Sequence, residues 1–164
     1  MEIFFDEQEL AKVNEIKSKY PHSKAALMGV LWLAQKKFGW ISKEVAEYIA
    51  KLLDLPPSHV DGVVSFYTMY FKKPMGKYHI QVCTNVSCML RDGDLIFDHI
   101  SKLLGIKNGE VTPDGLFSLE EVECMGACGG APMIAINEDY YENIDIPFVE
   151  NLISRLRNGN GTSA

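Results

Sequence analysis

The sequence predicts an α+β protein in two parts, an N-terminal helical bundle over residues 1–75 and a small α/β domain over residues 76–164. Three observations carry this. Apolar residues recur at helical spacing in the first part and alternate as in strands in the second. The segment Lys72-Lys-Pro-Met-Gly76 separates the two regimes. The charge also divides there: ten Lys/Arg stand against nine Asp/Glu up to residue 75, and six against thirteen beyond it, within a net charge of −6.

In the first part, Leu10, Val13, Ile16 and Tyr20 fall at helical spacing. Ser23 is placed to cap a second helix that turns Leu27, Val30, Leu31, Ala34 and Phe38 inward, and Gly39 ends it. Ser42 caps a third helix with Val45, Ile49, Leu52 and Leu53 on its apolar face. Leu55-Pro-Pro-Ser breaks that helix, and a proline in the first turn opens a short fourth one near His59–Val64. Short links between amphipathic helices predict a bundle. The run Val63–Phe71 is apolar throughout and fits either a strand or a helix. Trp32, Trp40 and the aromatics of Phe66–Phe71 are expected in the core.

In the second part, Tyr78–Cys83 alternates as a strand with Ile80 and Val82 on one face. Thr84–Ser87 reads as a turn. A helix follows with Leu95, Ile96, Ile100, Leu103 and Leu104 as its buried stripe, stopped by Gly105. Thr112-Pro-Asp-Gly115 is a turn signature. Phe117–Glu123 and Pro132–Asn137 read as strands, and Pro147 opens a last helix with Val149, Leu152, Ile153 and Leu156 inward. The order β-α-β-β-α fits a small sandwich of the thioredoxin type. The Ala131–Pro132 bond is expected to be trans. The tail Asn158–Ala164 is expected to be loose.

Composition excludes several classes. With 47% hydrophobic and 23% charged residues, the chain matches globular proteins rather than disordered ones. An acidic second half suits nucleic acid poorly. No apolar stretch is long enough to span a bilayer, and the start lacks a basic, then apolar, leader. The expectation is a cytoplasmic protein, or one held peripherally on the cytoplasmic face of a membrane. No G-x-G-x-x-G follows a strand, so the chain is not expected to bind NADH by itself.

All four cysteines lie in the acidic half, spaced C-x4-C, then 35 residues, then C-x3-C. Cys83 and Cys88 span the exit of a strand; Cys124 and Cys128 span a glycine-containing loop between two strands. In a reducing compartment, metal binding is favoured over disulfides. Four thiolates satisfy a [2Fe–2S] cluster, two per iron; the expected division puts Cys83 and Cys88 on one iron and Cys124 and Cys128 on the other, and the spacing does not fix it. Structural zinc also takes four cysteines, although its pairs are more often C-x2-C. Disulfides or free thiols are further readings, and a thiol redox role lacks the C-x-x-C it needs. Gly126, Gly129 and Gly130 let backbone N–H groups approach the sulfurs, and the helix after Cys88 is expected to turn its N-terminus toward them.

Gln81-Val-Cys-Thr-Asn-Val-Ser-Cys-Met-Leu90 and Glu121-Val-Glu-Cys-Met-Gly-Ala-Cys-Gly-Gly-Ala-Pro132 resemble the two cluster loops of the thioredoxin-like [2Fe–2S] ferredoxin family. Lys24–Met28, Gln35–Ser42, Gly62–Tyr70, Thr112–Phe117 and Asn137–Glu142 are similar to further segments of its branch in NADH:quinone oxidoreductase (respiratory complex I). The resemblance spans residues 5–157 and keeps all four cysteines. It implies a helical N-terminal domain and a thioredoxin-like cluster domain. It also implies an electron-transfer subunit of an NADH dehydrogenase complex, with FMN and NADH bound on a partner flavoprotein subunit. Related subunits serve NAD-linked hydrogenases and formate dehydrogenases.

No catalytic residue is assigned. His22, His59, His79 and His99 have no partner at metal-ligand spacing and are read as structural or surface residues. Met89 and Met125 flank the cysteines and are expected to screen them from water. Asp92 and Asp94 are read as solvated acids at a helix start.

Overall fold

The computed structural model describes residues 3–159, so residues 160–164 of the predicted loose tail lie outside the described residues. The chain divides into two compact units, Met1–Pro74 and Met75–Ala164.

The first unit holds four helices: α1 (Glu7–Ser18), α2 (Ser23–Phe38), α3 (Lys43–Leu53) and α4 (Pro57–Phe66). Asp6 starts α1 with a capping box, exchanging bonds with Glu9 at 2.9 and 2.8 Å. Ser42 caps α3, as predicted, by accepting from Val45 N–H at 3.2 Å. The cap of α2 is His22 rather than Ser23, which is already the first helical residue. His22 supplies only its extended backbone, with no side-chain cap bond. Gly39 ends α2 at φ +82°, a left-handed conformation that costs glycine no Cβ clash. Tyr20 lies past the end of α1 and is exposed, so it is not on the core face.

Val13, Leu27, Val30, Leu31, Val45, Ile49, Leu53 and Val60 form the core of this unit. The ambiguous run after Val63 resolves into the last turn of α4 followed by turns, with no strand. Only part of its expected burial holds: Tyr70 is 1% exposed, whereas Phe66 is 78% exposed and Tyr67 is also exposed. Polar bonds fix this segment. The buried Gln35 amide donates to Met69 C=O at 2.9 Å and accepts from Phe71 N–H at 2.7 Å. Tyr70 Oη donates to Met28 C=O at 2.9 Å.

Burial pushes the Tyr70 phenol up from 10.0 to about 12. In the unfolded chain that phenol ionises near 10, so its contribution to stability is complete below that pH and is lost as pH rises toward 12. In an alkaline titration followed by tyrosinate absorbance, Tyr70→Phe is expected to remove one tyrosine's worth of absorbance from the step near pH 12. A Tyr70→Phe protein whose late step keeps its full amplitude would disprove the assignment.

The second unit is a four-stranded mixed sheet with helices. Its elements are β1 (Tyr78–Cys83), the short α5 (Val86–Met89), α6 (Gly93–Leu104), β2 (Phe117–Val122), a 3-10 turn (Cys128–Gly130), β3 (Met133–Ile136), β4 (Asp139–Glu142) and α7 (Ile146–Arg157). The strand order is β2-β1-β3-β4. β1 runs parallel to β2, and β3 is antiparallel to both β1 and β4. Ile80, Val82, Phe117, Leu119, Ile134 and Ile136 join one core with Ile96 and Ile100 of α6 and with Val149, Leu152 and Ile153 of α7. This α+β arrangement is the predicted fold class.

Three expectations need correction here. Leu95 and Leu103 are 58% and 38% exposed, because the apolar stripe of α6 is centred on Ile96, Ile100 and Leu104 and they fall at its margins. The Ala131–Pro132 bond is cis; an X–Pro bond has only a small trans preference for its surroundings to overcome. The strand β4 follows β3 through a hairpin that the alternation did not reveal. At the start of β2, Gly76 lies so close to the Phe117 and Ser118 backbone that a Cβ would overlap it.

Candidate metal centre

Sheet topology brings the two cysteine pairs to one end of the sheet. Cys83 is the last residue of β1 and pairs in register with Val122, the last residue of the parallel β2. Parallel neighbours leave the sheet at the same end, so the loops after β1 and β2 emerge side by side. Thr84 ties them: its N–H donates to Val122 C=O at 3.1 Å and its hydroxyl to Glu121 Oε1 at 2.8 Å. The chain re-enters at β3, where Ile134 pairs with Val82.

Cys88 sits in α5, which Asn85 starts by accepting from Val86 N–H at 2.6 Å. The chain then turns through Asp92 at φ +67° into α6, whose first residue is Gly93. Gly93 presses against the first loop: a Cβ there would stand 2.9 Å from Cys83 O and 2.9 Å from Cys88 C and O. The first residue of α6 therefore abuts the backbone of both cysteines.

The second loop carries Cys124 and Cys128 with their sulfurs 3.9 Å apart. Gly126 adopts φ +79°, which lets its N–H reach Cys124 Sγ at 3.4 Å. Cys83 Sγ lies 3.6 Å from Glu123 C=O, next to Cys124. None of the four cysteines is in a disulfide.

Burial pushes the Cys88 thiol up to about 11, helped by a hydrogen bond with Cys83 and by the nearby Cys83 and Cys128 sulfurs. The Met133 backbone N–H acts in the opposite direction. The Cys88 sulfur thus feels those of Cys83 and Cys128, and the fourth, Cys124, lies 3.9 Å from Cys128. Cys83 and Cys88 are buried, whereas Cys124 and Cys128 are exposed.

Ala131 and Met133 are buried around this group, with Met125 and Ala127 packed beside them. Met125 thus takes the expected screening position. Met89 does not: it is 47% exposed, because α5 turns it away from this packing. Among the described residues, no three His, Cys, Asp or Glu side chains converge as a set for a single metal ion. A two-iron cluster asks less of any one point, since each iron takes two protein sulfurs.

Sequence reasoning missed what β4 does. Tyr140 Oη donates to Met125 C=O at 3.4 Å, and Asn143 N–H donates to Gly130 C=O at 2.7 Å. The segment Asn137–Glu142 resembles a family segment, but its pattern gives no sign of this contact. Two of the histidines are engaged elsewhere. His79 is buried with Nδ1 2.9 Å from Ser118 Oγ and Nε2 3.0 Å from Glu120. His99 faces Glu150 at 2.9 Å. Among the described residues, no helix is long and apolar enough to cross a membrane.

Comparison with known proteins adds to this geometry. The family model described as thioredoxin-like [2Fe-2S] ferredoxin matches residues 13–157. A subunit of the NADH-quinone oxidoreductase of Rickettsia bellii (strain RML369-C) is 44% identical over 157 residues, covering 94% of this chain and 94% of that one. A subunit of the NADH-quinone oxidoreductase of Thermus thermophilus is 43% identical over 162 residues, covering 97% of this chain and 88% of that one. The fold is similar to that of an air-oxidised NAD+-reducing [NiFe]-hydrogenase chain, with a TM-score of 0.73 at 21% identity. That likeness covers 82% of this chain and only 23% of the hydrogenase polypeptide. With a family match over most of its length and relatives above 40% identity nearly from end to end, the chain belongs to the thioredoxin-like [2Fe-2S] ferredoxin family.

Proposed function

We propose that Cys83, Cys88, Cys124 and Cys128 hold one [2Fe–2S] cluster and that the chain is the electron-transfer subunit of an NADH dehydrogenase complex. The observation that carries this is the meeting of four disulfide-free cysteines from two loops at one end of the sheet. The donors fit the group. They are soft sulfurs suited to iron, and Gly126 directs an N–H at one of them.

When bound, the cluster supplies one-electron redox chemistry at a fixed position. The chain supplies the four ligands. It also holds the two loops together through Thr84 and Cys83, and it keeps water from the inner pair with Ala131 and Met133. The partner in this reading is a flavoprotein subunit that binds FMN and NADH, and electrons pass between that FMN and this chain. Near end-to-end similarity to two NADH-quinone oxidoreductase subunits favours that host over a hydrogenase, whose likeness is one of fold. We assign residues 1–75 to a helical domain and 76–164 to the cluster domain. A cytoplasmic chain, or one held on the cytoplasmic face of the membrane by its complex, is consistent with this role.

The test is anaerobic purification, followed by iron, zinc and acid-labile sulfide analysis and by EPR of the dithionite-reduced protein. The expected result is equal iron and sulfide, visible colour and an EPR signal that appears on reduction. A colourless, EPR-silent protein with zinc and no labile sulfide would refute the proposal.

A further inference from the structure

We propose that Glu142, on the edge strand β4, sets the reduction potential of the bound cluster through its negative charge. The inference rests on the ligand reading above and adds to it a residue remote in sequence from every cysteine. Two placements carry it. Glu142 is the register partner of Met133 in the β3–β4 ladder. Met133 packs against Cys83 and Cys88, and its backbone N–H acts on the Cys88 sulfur. Glu142 also reaches the other loop. Gly130, two residues beyond Cys128, is buried, and the space a Cβ would occupy there is filled by the Glu142 carboxyl group. The adjacent Asn143 N–H clamps Gly130 C=O at 2.7 Å.

The strand thus places this carboxylate over the second cysteine loop, which it can reach only because residue 130 is glycine, while its register partner Met133 packs on the first pair. Tyr140, two residues earlier and so on the same side of β4, bonds Met125 C=O at 3.4 Å and holds the other end of the second loop. Glu121, also near the site, differs in that its carboxylate accepts from the Thr84 hydroxyl at 2.8 Å. One-electron reduction adds one negative charge at the site. A fixed carboxylate beside it opposes that step more than it opposes the oxidised state, which lowers the potential. Because Glu142 is exposed, the effect is screened by salt.

The test uses the full chain with its cluster. Iron and sulfide are measured first on the parent, so failure of the ligand reading is seen there, before any variant is compared. Potentiometric titration with dithionite, followed by EPR, is then run on the parent, Glu142→Gln, Glu142→Asp and a control, Asp139→Asn. Asp139 is an exposed acid at the other end of β4, where its partner Ile136 pairs in turn with Ile80, away from the exit at Cys83. Glu142→Gln is expected to raise the reduced-to-oxidised ratio at a given potential about tenfold, equivalent to about 59 mV for one electron, and less at high salt. Glu142→Asp keeps the charge and is expected to stay near the parent, as is the control. The proposal is overturned if Glu142→Gln titrates like the parent, or if the control or the Asp variant shifts as far. It is equally overturned if the Gln variant fails to hold iron that the parent holds, since that is a structural role.

Discussion

Cys88→Ala is expected to leave the purified chain with background iron and sulfide and no EPR signal on reduction. The size of the effect follows from where the sulfur sits. Cys88 is 2% exposed and Cys83 3%, so no water stands ready to replace a missing ligand. An alanine there puts a methyl group against iron, in a pocket closed by Ala131 and Met133. Cys124 and Cys128 are exposed, and solvent or a serine oxygen has access to the vacated position. Cys124→Ser is therefore expected to retain part of the iron with an altered EPR signal, because a hard oxygen replaces a soft sulfur. The inner and outer pairs should thus differ in severity. Equal iron content and unchanged spectra in Cys88→Ala would remove that residue from the ligand set.

Gly93→Val is expected to destabilise the protein by about 1–3 kcal/mol or more and to reduce cluster retention together with stability. Even an added Cβ would stand 2.9 Å from the Cys83 and Cys88 backbone. Backbone cannot swing aside as a flexible side chain does, so α6 or the first cysteine loop must move. Moving α6 disturbs Ile96 and Ile100 in the sheet core, and moving the loop displaces both inner sulfurs. Valine adds two further carbons and a β-branched side chain in the first helical turn. Denaturant unfolding with the cluster bound, read beside iron content, measures both effects. A Gly93→Val protein as stable and as iron-rich as the parent would show that α6 does not press on the loop.

Several elements were legible because one local signal dominated each. Ser42 capped α3, Gly39 and Gly105 ended α2 and α6, and Tyr78–Cys83 spans the strand β1. The strand β4 was not legible. Asp139-Tyr-Tyr-Glu142 lies at a sheet edge with little burial, so no apolar alternation marks it, and only pairing with β3 makes it a strand. The exposure of Phe66 was equally hidden: a run of apolar residues does not say which of them the turns after α4 leave outside. Gly93 gave no signal of its own, since the need for glycine there arises from Cys83 and Cys88 pressing against it.

The sequence by itself determined the division at residues 72–76, the helical and strand periods on either side, and four cysteines in two loops of particular spacing. These are local properties, set by side-chain volume, polarity and backbone preference over a few residues. The tertiary structure alone decided that the parallel pairing of β1 and β2 brings those loops to one sheet end. It also decided that Cys83 and Cys88 are buried while Cys124 and Cys128 face outward, and that a carboxylate from β4 lies over Gly130. Such facts depend on strand order and close packing between segments distant in the chain, which no short window of residues encodes.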